Sequence, residues 1–107
     1  MNKQRLIEQR ILAQHRIVAN RLLADPEKVI RFASANLKRW SDGYSKEERP
    51  RWMDDWSRLL SDSPEAVVEI LTSNSEEANR LRSSSPFAGI VSPRERWEIY
   101  REIQDET

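Results

Sequence analysis

A single imidazole, that of His15, is available to this 107-residue chain, so any acid–base, nucleophilic or metal-assisted scheme that needs one must be built around it. On a helix, Glu8 and Ile11 share its side, and no cluster of His, Cys and Asp surrounds it at metal-ligand spacing. His15 therefore reads as a structural or surface histidine. The acidic doublets Glu47-Glu48, Asp54-Asp55 and Glu76-Glu77 suggest paired-carboxylate chemistry, but neighbouring helical residues point about 100° apart and converge poorly. Glu47 with Arg51, Arg51 with Asp55 and Asp54 with Arg58 have instead the four-residue spacing of ion pairs along an exposed helix. The only glycines are Gly43 and Gly89, too few for a phosphate-cradling loop or a dinucleotide fingerprint, and the absence of Cys rules out thiol catalysis and disulfides. The expectation is a protein with no catalytic residues, no cofactor and no metal.

Nucleic-acid binding is the stronger chemical alternative. Residues 63–83 read as two short helices joined at Thr72-Ser73-Asn74-Ser75, compatible with a helix-turn-helix in which Asn79, Arg80 and Arg82 face bases or phosphates. Against it, Glu65, Glu69, Glu76 and Glu77 would oppose a phosphate backbone. Lys plus Arg equals Asp plus Glu at 18 each, so no net field attracts a polyanion. The distribution is uneven: residues 1–31 hold seven basic and three acidic groups, residues 63–107 five basic and nine acidic. The basic residues of the first helix, Arg5, Arg10, Arg16 and Arg21, spread over its circumference.

The elements that would position these groups are helical. The length fits one domain, and nine Leu, eight Ile, five Val and two Phe, with four Trp, make a core that is sufficient but thin. From about Asn2 to Ala24 no Pro or Gly intervenes. One apolar stripe there is Ile7, Ile11, Val18 and Leu22, with His15 at its edge; a second is Leu6, Ala13, Ile17 and Ala24. Two apolar faces suit either a central helix buried from both sides or a homodimer contact. Asp25-Pro26 ends this helix and starts the next, with Val29, Phe32, Ala33, Leu37 and Trp40 inward and Gly43 beyond its end. Ser45 and Glu48 have capping-box spacing for a third helix reaching Leu60, although Pro50 allows a later start; Trp52, Trp56, Leu59 and Leu60 lie along it. Ser63-Pro64 opens a fourth, Ser73 with Glu76 a fifth through about Ser83, and Ser92-Pro93-Arg94-Glu95 a last one bearing Trp97, Tyr100 and Ile103. No segment alternates with period two. The expected fold is all-α: a compact bundle of five to six helices in one domain, 1–107. No signal peptide or apolar span of about 20 residues is visible, which makes cytoplasmic the default location.

One stretch fits neither helix nor strand: Ser84 to Pro93, where Phe87, Ile90 and Val91 are framed by Pro86, Gly89 and Pro93. It must be an ordered connector that either plugs its own core or docks on a partner. The longer run Arg80-Leu81-Arg82-Ser83-Ser84-Ser85-Pro86-Phe87-Ala88-Gly89-Ile90-Val91-Ser92-Pro93-Arg94-Glu95-Arg96-Trp97-Glu98-Ile99 is similar to the C-terminal signature of small bacterial proteins associated with toxin–antitoxin pairs, as the antitoxin member. The resemblance implies stoichiometric inhibition of a cognate toxin, nuclease-like or nucleotidyltransferase-like, by steric cover. In that reading Pro86, Phe87, Ala88, Gly89, Ile90, Trp97 and Tyr100 form the contact, while Glu95, Glu98 and Glu102 meet basic groups of the partner.

Overall fold

In the computed structural model, which describes residues 2–104, the chain forms six helices and no strand among those residues: α1 (Lys3–Ala24), α2 (Pro26–Ser41), α3 (Arg51–Leu60), α4 (Pro64–Thr72), α5 (Glu76–Arg82) and α6 (Pro93–Glu102). Their starts follow side-chain caps. Asp25 accepts from the Lys28 amide, Ser63 from Ala66, Ser75 from Ala78 and Ser92 from Glu95, each relieving one of the orphan donors of a first turn. Pro26, Pro64 and Pro93 stand where a missing N–H costs nothing. Two starts differ from expectation. The cap of α5 is Ser75, not Ser73, and α3 begins after Pro50 because Ser45 spends its hydroxyl on the Glu48 carboxylate at 2.7 Å in a preceding turn.

Helix α1 is the axis of the bundle, packing most extensively on α4 and also on α2, α5 and α6. Its buried stripe is Leu6, Leu12, His15, Val18, Ala19 and Leu22. The two anticipated stripes are thus split: Leu6, Val18 and Leu22 enter the core, Ile11, Ala13 and Ile17 are half-buried, and Ile7 and Ala24 are exposed. Helix α6 runs antiparallel along α1, since Glu95 near its start meets Arg21 and the Ile103 carbonyl at its end accepts from Arg10 Nε at 2.9 Å.

Trp56, fully buried, joins the halves of the core. Its Nε1 donates to the Leu81 carbonyl at 2.9 Å, and its ring meets Phe87 edge-on, with centroids 5.7 Å apart. Pro86, Phe87 and Val91 lie in the same core, so the connector is a plug for its own domain. This corrects the assignment of Pro86 and Phe87 as partner anchors. Burying Phe87 is worth about 2–3 kcal/mol to the folded chain, and it has no apolar surface left to offer. The plug is fastened by Asn36, a buried polar residue of α2 whose Nδ2 donates to the carbonyls of Pro86 at 3.0 Å and Ala88 at 3.2 Å.

Candidate partner-binding groove

After Ala88 the chain must turn away from α2, and Gly89 does so at φ +99°, a conformation that side chains resist. A Cβ there would also sit 3.1 Å from Phe32 Cζ, so the turn lies directly on that ring. Phe32 is on the second turn of α2 and remains 39% exposed, with the Gly89 turn roofing the ring on one side. Beside it, Val29, Ala24, Ala35 and Ile90 complete an apolar floor, and Arg21, Lys28 and Arg31 with Asp25 stand around it; the groove holds about 700 Å³. Arg21 fixes one wall: its guanidinium donates to the Ile90 carbonyl at 2.5 Å and pairs with Glu95 at 2.5 Å. Arg31 pairs with Glu27 at 2.7 Å, whereas Lys28 makes no ion pair among the described residues.

The residues singled out in the sequence divide sharply. Ala88 and Gly89 are exposed at the crest of the turn and Ile90 is half-buried at the groove's edge, so these three meet in one place. Glu95 is not free for a partner. The Arg21 guanidinium and then the Ser92 amide hold its carboxyl down to about 2, and it completes the capping box of α6. Trp97, 64% exposed, and Tyr100 share the outer face of α6, where the Arg10 guanidinium lies 4.4 Å from the Tyr100 ring centroid. Glu98 pairs loosely with Arg94 at 3.6 Å, and Glu102 is exposed in the last turn.

Of the three residues expected to face nucleic acid, two are engaged within the chain. Arg82 is 2% exposed: its Nη1 donates to the carbonyls of Ile70 at 2.7 Å and Ser73 at 2.6 Å, and its Nη2 to Asn79 Oδ1 at 2.5 Å. It closes the C-terminal end of α4, where the helix dipole favours a cation, and occupies Asn79 as it does so. Arg80 is tied to Glu77 at 2.5 Å and to Asp55 at 3.0 Å, both of which raise its pKa. Asn79 and Arg82 are thus engaged inside the fold, whereas Arg80 remains exposed.

The ion pairs expected along α3 are also rearranged. Arg51 reaches Asp55 at 3.9 Å, but Arg58 pairs with Asp55 at 2.5 Å and Asp54 with Arg49 at 3.7 Å; Glu47 lies ahead of the helix. His15 is buried, and burial pushes its pKa down to about 4 against the opposing effect of the Ile11 carbonyl. Sequence reasoning missed Asn36, although an Asn between Ala33 and Leu37 on an inward stripe is the signal of a buried hydrogen-bonding role.

No protein-family model matches the chain, and neither a curated protein nor a solved structure is significantly similar to it.

Proposed function

We propose that the chain is an antitoxin-like inhibitor that silences a partner enzyme by binding it, with the groove between α2 and the Gly89 turn as the seat of the contact. The observation that carries this reading is the apolar floor left open at Phe32 and Ile90 in a domain that otherwise uses its connector to seal its core. The docking segment presents an aliphatic or aromatic anchor for the floor and a carboxylate for Lys28, the cation at the groove with no ion-pair partner among the described residues. This shifts the contact expected from the resemblance: the anchors are Ile90 with Phe32 in place of Pro86 and Phe87, and the basic side of the charge pairing belongs to this chain. Inhibition is by steric cover, and catalysis belongs to the partner.

The test is co-expression with the product of the adjacent gene. A one-to-one complex by light scattering and relief of that product's toxicity are expected, and the double variant Phe32→Asp, Lys28→Glu is expected to weaken the complex tenfold or more, about 1.4 kcal/mol. Undiminished binding by that variant, with its fold intact by circular dichroism, overturns the groove assignment.

A further inference from the structure

On the opposite side of the Gly89 turn lies a second cavity, of about 230 Å³, whose polar lining includes Gln14, His15, Arg82, Ser85 and Arg96. It brings together groups from α1, α5, α6 and the connector that the proposed contact does not use. Two of them are cations with no carboxylate partner among the described residues. Arg82 is almost completely buried, its hydrogen bonds end on neutral acceptors only, and its Nε, sealed from solvent, has no hydrogen-bond partner among the described residues. Arg96 makes no ion pair among the described residues. A buried guanidinium is ordinarily matched by an anion, and the carbonyls at the end of α4 offset its charge only in part.

His15 completes the set. Its Nδ1 lies 2.7 Å from the Ile11 carbonyl, which can only accept, so Nδ1 carries the proton and Nε2 is left as an acceptor with no donor among the described residues. Ser85 Oγ accepts from the Phe87 amide at 3.2 Å and keeps its own hydrogen to donate.

We infer that this cavity is a binding site for a single oxyanion group, a carboxylate or a phosphoryl group, held by Arg96 and Ser85 beside the buried charge of Arg82, with one proton shared between the ligand and His15 Nε2. The cavity has room for several waters at about 30 Å³ each, and so for such a group. The charged groups around the imidazole are Arg82 from α5 and Arg96 from α6, with Arg16 and Glu8 of α1 acting on Arg82. An anion placed among them opposes the field that disfavours a proton on His15.

Because His15 is the only histidine, its ring proton resonance gives an unambiguous titration of the intact protein. In chloride the midpoint is expected at about 4, where burial holds the imidazole. In phosphate or acetate at matched ionic strength it is expected to rise by about one unit or more, the larger response showing which oxyanion the site prefers. Arg96→Gln, at an exposed position, is expected to remove most of that rise while leaving the melting curve in place, and Arg96→Lys to retain it. The same midpoint in all three salts, or an unchanged rise in folded Arg96→Gln, overturns the site. Neither result depends on whether a partner occupies the groove.

Discussion

Phe87 and Trp97 are both large aromatics beside the same connector, and their fates are opposite. Phe87 is 3% exposed against Trp56, whereas Trp97 is 64% exposed on α6. Phe87→Asp is therefore expected to cost about 3–5 kcal/mol, combining a lost aromatic with an unpaired buried charge, and to leave the chain largely unfolded in a urea titration. Trp97→Asp is expected to move the midpoint by no more than about 0.5 kcal/mol. At this scale the sequence is least legible, because residue type does not report environment. His15 reads equally as a structural or a surface histidine and Arg82 as a nucleic-acid-facing letter, yet one sits in the packed stripe of α1 and the other closes α4. Only the three-dimensional convergence of α1, α4 and α5 decides it.

At the scale of elements much more could be read directly. Asp25-Pro26, Ser63-Pro64 and Ser92-Pro93 each place a side-chain acceptor ahead of a residue that needs no donor, and all three open helices where expected. The failures have local causes. Ser45 with Glu48 satisfies one side chain with another instead of the backbone, so the box caps nothing, and Pro50 delays α3. The connector was undecidable from its own letters, since an aperiodic apolar run looks the same against a domain's own core as against a foreign one. Asn36 resolves it structurally. Asn36→Leu removes both bonds to the connector carbonyls and leaves the buried Pro86 acceptor unmet, a loss of about 1–3 kcal/mol. Hydrogen exchange is expected to show the cost locally, with faster exchange at the Ile90 amide, which is bonded to the Phe87 carbonyl at 3.1 Å, than in α4.

For the molecule as a whole, the all-α bundle organised on a long first helix was legible, because one uninterrupted 22-residue helix and short capped successors leave few other ways to bury the apolar faces. The placement of the open groove was not, since it depends on how closely the Gly89 turn approaches Phe32. Global stability carries one clear titration. His15 has a pKa of about 4 when folded against 6.5 ordinarily, so the unfolded chain binds the proton more readily. The stability this confers is complete above about pH 6.5 and is lost as pH falls through about 4, on the order of 3 kcal/mol in all. Urea midpoints are expected to fall between pH 7 and pH 5, and His15→Gln to flatten that interval; the Glu95 contribution survives it, since that carboxyl titrates lower still, near 2.

The Asn36 amide nitrogen donates to carbonyls on either side of Phe87, and so its two bonds act as a gauge of chain length. A residue inserted between Pro86 and Ala88 would carry one of those oxygens out of reach and swing the aromatic ring from its seat, whereas extra residues between Asp42 and Arg49 lengthen only an exposed turn. Variants of this protein that keep its fold are thus expected to differ in spacing before α3 and to count the same number of residues through the plug.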